Sequence, residues 1–208
     1  PEYHLFSYLF PFVSHAHDDH TKGASEFFYL EHDKEYQSDE RKKIEELWVS
    51  AAFLNDTDLE NGSDAKIIRD EARYRLKKKV GVKIFAEPDS LNDWLEKEEI
   101  EYDDVSDLIV HAGTIIEDKE TFGENVQIFV HSPFSDDSEE VQDKNDPSIV
   151  LQVRFKNGER NTNILITGDT TYRVLDKIVD ISKDNENEDR LSWDIYDIPH
   201  QNILFSFE

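Results

Sequence analysis

Apolar and aromatic residues come in short runs, set apart by long charged stretches. "LFSYLFPFV" (5–13) reads as buried strand that leads straight into His15. "LWVSAAFL" (47–54) predicts a second buried strand and its exit, and "VKIFAE" (82–87) a short third. "NVQIFVH" (125–131) and "SIVLQVRF" (148–155) alternate apolar and polar residues, the two-residue period of a strand. "NILIT" (163–167) is a continuous buried run, and "WDIYDIP" (193–199) and "ILFSF" (203–207) close the series. Between them, "SDAKIIRDEARYRLKKKVG" (63–81) has helical spacing. Ser63 or Asp64 can cap it, Ile68, Ala72 and Leu76 recur every four residues, lysines fill the last turn, and Gly81 can end it. "SLNDWLEKEE" (90–99) predicts a shorter helix capped by Ser90. "TYRVLDKIVDI" (171–181) predicts another through Val174, Leu175, Ile178 and Val179. The charged segments 31–47 and 182–189 read as solvated helix or loop and as loop. Strands near both ends with helices between them predict a layered α/β arrangement, sheets sandwiched by helices.

Length and charge narrow this. The 208 residues fit one domain, 1–208, with a core of its own. The chain is 37% hydrophobic, with 13 Phe, 8 Tyr and 3 Trp, too apolar for a disordered tail. No apolar run reaches the length of a membrane span. With no cysteine, any metal must be held by His, Asp or Glu. The chain starts at Pro1 and has no methionine, so a longer translated product is expected. A net charge of −25 opposes long-range attraction to phosphate backbones and suits a basic partner or simple solubility.

Three motifs carry candidate chemistry. "SHAHDDH" (14–20) puts His15 and His17 on one face of an extended segment, within reach of one metal. If the chain then turns helical, Asp19 and His20 swing to a second position, and Asp18 is left to solvent or a cap. "NILITGDTTY" (163–172) ends a buried strand in Thr-Gly-Asp, presenting Asp169 where a carboxylate can bridge two cations about 3.5–4 Å apart. "WDIYDIPHQN" (193–202) ends a strand in His200. Taken singly, these are a polar loop, a helix cap and a surface histidine.

Taken together and in this order, they resemble the metallo-β-lactamase superfamily, in which a strand ends in His-x-His-x-Asp-His, a later one in Gly-Asp and a later one in His. The resemblance covers residues 10 to 200. Asn145, Ser148, Asp169 and His200 further resemble the ComEC-type, competence-protein-like branch. The resemblance implies a four-layer αββα sandwich whose N-terminal strands are missing from this sequence. It departs from the branch in two ways: Gln201 follows His200 where a second histidine is usual, and "ILFSF" follows closely. At the third histidine position, His131 lies 38 residues before Asp169, whereas Asn145, at 24, fits the spacing better. Either residue can fill the position: if Asn145 does, it is a weak ligand or supports one and His131 is structural; if not, His131 is the ligand.

The resemblance implies two divalent cations, Zn²⁺ or Mn²⁺. His15 and His17 would hold one, and Asp19, His20 and His200 the other. Asp169 would bridge, and Asp19 would also orient the attacking water. The activity implied is metal-dependent hydrolysis, with a phosphodiesterase or nuclease acting on DNA or RNA as the leading case. The −25 charge calls for a basic protein partner, in a cytoplasmic assembly, to deliver the nucleic acid. The basic clusters at 41–43 and 73–79 could form a contact strip. The alternatives are hydrolysis of a small ester, lactam or cyclic nucleotide, or a metal-containing interaction subunit without turnover.

Overall fold

The structure, a computed structural model, describes residues 11–13, 18–87, 89–119, 121–134 and 145–197, and only the backbone of Asp18 and Asp19. The fold is mixed α/β. It divides into two compact units. One runs to Ile84 and includes Leu91–Ile109, and the other comprises Phe85–Ser90 and the chain from Val110.

In the first unit, β1 (Phe12–Val13) leads toward two short helices, α1 (Asp18–Thr21) and α2 (Ala24–Phe27). A small parallel ribbon follows, β2 (Phe28–Tyr29) against β3 (Lys42–Lys43). β4 (Leu47–Ser50) is wholly buried and pairs in parallel with β1. Ser50 then caps α3 (Ala51–Asn55), its hydroxyl accepting from the Phe53 amide at 3.1 Å. The long helix α4 (Asp64–Lys78) buries Ile68, Ala72 and Leu76, the stripe that the spacing predicts. Ser63 is its cap, accepting from Lys66 N at 3.2 Å. It ends on Lys79 in the left-handed region (φ 60°), not on Gly81. Gly81 serves a different end: a Cβ there would stand 2.9 Å from Nη1 of Arg75. β5 (Val82–Phe85), α5 (Asn92–Lys97) and β6 (Ile109–Val110) follow, and the sheet order is β1-β4-β5-β6. Ser90 does not cap α5. Leu91 holds that position, and the Ser90 hydroxyl donates to the Glu87 carbonyl at 3.0 Å.

The second unit is built on a five-stranded sheet. β7 (Ile115–Ile116), β8 (Val126–Ser132), β9 (Val150–Asn157) and β10 (Arg160–Ile166) run antiparallel in sequence order. β11 (Ile195–Tyr196) adds in parallel to β10. Between β10 and β11, α6 (Tyr172–Asp184) packs Val174 and Ile178 onto Val150 and Leu165. Apolar side chains three to four apart on α6 meet alternate residues of the strands, the way a helix closes one face of a sheet. Segment 182–189, expected as loop, is helix to Asp184, and a 3-10 turn spans Glu188–Leu191.

Candidate metal centre

Ile166 pairs with Leu151, so the antiparallel register brings the end of β10 and the start of β9 to one edge of the sheet. Three residues beyond each partner stand Asp169 and Ser148. The chain turns there through Gly168, whose φ of 53° suits glycine, and Thr170 N closes the turn on the Thr167 carbonyl at 3.2 Å. Asp169 is 1% exposed, and Thr167 and Thr170 beside it are buried. On the β9 side, Ser148 N donates to the Asn145 carbonyl at 3.0 Å, and Asn145 is 3% exposed. The two turns are tied by Thr171, whose hydroxyl lies 2.8 Å from Oδ1 of Asp146. Asn145 and Asp169 thus share one corner of the second unit.

β11 ends at the same edge. Its pairing with β10 is parallel, and Asp197 N donates to the Leu165 carbonyl at 2.9 Å. The Thr167 hydroxyl donates to the Asp197 carbonyl at 2.5 Å. His200 follows three residues later, outside the described residues.

The histidine motif belongs to the first unit. His15 and His17 lie outside the described residues, as do the side chains of Asp18 and Asp19. The backbone does turn helical at Asp18–Thr21, as the placing of Asp19 and His20 requires, and His20 is partly exposed. The turn that follows is anchored on α4. Oδ2 and Oδ1 of Asp64 accept from Gly23 N at 2.7 Å and Ser25 N at 3.0 Å. Desolvation works against the charged form of this carboxylate, but hydrogen bonds from Ser25 and the two amides outweigh it and hold its pKa below the usual value. Among the described residues, no three His, Cys, Asp or Glu side chains gather to hold a metal. The described part of the proposed set is His20 in one unit and Asn145 with Asp169 in the other.

His131, the runner-up third histidine, is buried in β8 at a register shift between Val130 and Ser132. Its Nε2 lies 3.2 Å from the Arg190 carbonyl, and its ring meets Phe129 edge-on at 4.8 Å. Burial pushes its pKa down to about 4, against the hydrogen bond to the Arg190 carbonyl, which favours the protonated ring, and with a smaller push in the same direction from the Arg190 charge.

Sequence reasoning missed Glu71. It has no solvent exposure and accepts from Nε of Arg75 at 2.6 Å, and from both the backbone and Nδ1 of His32 at 2.9 Å. Burial opposes its charge, yet the His32 and Arg75 hydrogen bonds override this and bring the pKa down to about 2. The signal was present: Glu71 and Arg75, four apart, fall on the same stripe as Ile68, Ala72 and Leu76.

In the two basic clusters, Lys42, Lys43 and Lys78 are exposed, and several of the other side chains are engaged within the chain. Arg41 donates to the Ser25 and Phe28 carbonyls, and Arg73 to the Leu54 carbonyl at 2.8 and 2.6 Å. Arg75 is buried on Glu71, and Lys77 and Lys79 pair with Glu98 and Asp104. Among the described residues, no helix is long and apolar enough to cross a membrane.

Compared with family models, curated proteins and solved structures, the chain matches none.

Proposed function

We propose that the chain is a dinuclear-metal-dependent hydrolase, a single domain of the four-layer αββα metallo-β-lactamase type and its ComEC-like branch. One observation carries the reading. A carboxylate 1% exposed, Asp169, closes a strand beside the buried Asn145, at the edge where β11 also ends. Burying an ionised carboxylate is costly unless a cation or several donors offset it. Carboxylate and amide oxygens are donors suited to manganese or, with imidazole, to zinc, so the adjoining Asp169 and Asn145 offer donor types that fit such ions.

Asp169 would bridge the pair. His15 and His17 would hold one ion, and Asp19, His20 and His200 the other. Asn145 would act as a weak ligand or orient one. When bound, two such ions make a shared water acidic enough to ionise near neutral pH and offset charge on the attacked group. Asp19 would orient that water and accept its proton.

The favoured substrate is a phosphodiester of DNA or RNA. Because the charge is −25 and the arginines at 41, 73 and 75 are engaged internally, a basic protein partner would deliver it, in a cytoplasmic assembly. The same engagement of the arginines favours the second reading, a small phosphodiester or ester as substrate.

The test is hydrolysis of single-stranded DNA, RNA and bis-nitrophenyl phosphate with added Mn²⁺ or Zn²⁺, comparing wild type with Asp169→Asn. The expected result is close to two metal ions per wild-type chain, and at least a ~100-fold loss of turnover in the folded variant. Equal activity in both proteins overturns the site. Cleavage of the small diester alone selects the second reading.

A further inference from the structure

The second unit contains a cavity of about 360 Å³. It lies between the C-terminal half of α6 and the end of β8, and the loop at 111–113 completes it. This volume is at the lower end of small-molecule sites, room for one or two rings. Phe129, Phe134, Ile178 and Ile181 supply apolar wall, and the imidazoles of His111 and His131 supply polar edges. Ser182, Asn185 and Asn187 add uncharged polar groups at the α6 end.

His131 has a defined tautomer. Its Nε2 faces the Arg190 carbonyl at 3.2 Å, so this nitrogen carries the proton and Nδ1 is the acceptor. Nδ1 of His111 lies 2.9 Å from the Ala86 carbonyl, which fixes that ring at the mouth of the loop. The depressed pKa of His131 keeps its ring neutral at physiological pH. No Lys, Arg, Asp or Glu lines the cavity, although the chain as a whole carries −25. An anion would find no fixed cation there, and a cation no carboxylate. Aromatic walls favour a flat ring packed edge-on or offset.

We propose that this cavity binds a neutral aromatic molecule of one or two rings bearing an N–H or O–H, its donor directed to Nδ1 of His131. Of the described residues that the metal reading names, His20, Asn145 and Asp169 do not line the cavity, and only the runner-up His131 does.

The test uses the whole chain at pH 7, with indole and 4-methylphenol as probes and toluene as the donor-less control. Titration calorimetry gives affinity, and long-range proton–nitrogen spectra follow the histidine ring nitrogens. The expected result is saturable one-site binding of indole or 4-methylphenol, with toluene at least ~10-fold weaker and the His131 Nδ1 resonance displaced. Ile181→Trp, at a position 38% exposed, should fill the cavity and weaken binding at least ~10-fold with the circular dichroism unchanged. Should that variant fail to fold, Ser182→Leu makes the same test from the neighbouring wall position. The proposal is overturned if neither probe binds saturably up to its solubility limit, if toluene binds as tightly, or if a folded cavity-filling variant binds indole undiminished.

Discussion

Glu71 keeps its charge at a position with no solvent contact, and three hydrogen bonds make that possible. Arg75 is nearly as buried, and its other nitrogens donate to the Ile44 and Gly81 carbonyls at 2.9–3.3 Å. Removing one partner strands the other, so Glu71→Ala should cost about 3–5 kcal/mol in urea unfolding at pH 7. The double change Glu71→Leu with Arg75→Met removes both charges and should cost clearly less than Glu71→Ala alone. A Glu71→Ala cost under about 1 kcal/mol would show that the pair is not held as described. The two strongly shifted groups also set separate pH windows. Each has its folded pKa below the unfolded value, so each stabilises at higher pH and loses that contribution as pH falls. For His131 the window runs from 6.5 down to about 4, and for Glu71 from 4.5 down to about 2. Each contributes up to about 3 kcal/mol across its window. Urea unfolding at pH 7, 5.5 and 4 should therefore show stability falling already above pH 5. His131→Phe, which cannot protonate, should flatten that upper part while leaving the fall below pH 4.5.

At the scale of the elements, the turn after the histidine motif is tied to the start of α4. Asp64, the first residue of α4, accepts from Gly23 N and Ser25 N, just after the histidine motif. Asp64→Ala should cost about 1–3 kcal/mol, the range for hydrogen bonds to a charged group. Amide exchange at Gly23 and Ser25 should accelerate more than at the interior of α4. If exchange at those amides is unchanged, the anchor is not the one described. Where a period was long enough to repeat, the sequence was readable. α4, α6 and the alternating strands β8 and β9 lie where the spacing puts them, and the Asp169 turn closes its strand as "NILITGD" implies. Two-residue strands carry no period. Phe28–Tyr29 finds Lys42–Lys43 only through tertiary pairing, within a segment that reads as solvated. Helix ends were misread where two residues could serve. Lys79 takes the left-handed position that ends the helix, and Gly81, also left-handed at φ 69°, leaves room for the Arg75 guanidinium instead. Glu71 and Arg75 have the spacing of a surface ion pair, and only their phase against Ile68 and Leu76 marks them as buried.

At the scale of the whole molecule, charge decides how a substrate arrives. Forty-eight acidic and 23 basic residues leave −25, and several basic side chains are spent on the chain's own carbonyls and carboxylates. A polyanion approaching such a surface is repelled over a distance that salt shortens, the Debye length falling from about 30 Å at 0.01 M to about 8 Å at 0.15 M. Most nucleic-acid binders weaken as salt rises, because their phosphate contacts release counterions. The opposite is expected here. Under the proposed nuclease reading, kcat/KM of the chain alone on single-stranded DNA should rise between about 0.01 and 0.15 M salt as the repulsion is screened. On bis-nitrophenyl phosphate, with one charge, it should stay nearly flat. A fall in DNA cleavage over that range would mean that a local basic surface outweighs the net charge, and that no delivering partner is needed. A rise that becomes a fall on adding a basic protein would show that the partner supplies the phosphate contacts this chain keeps for itself.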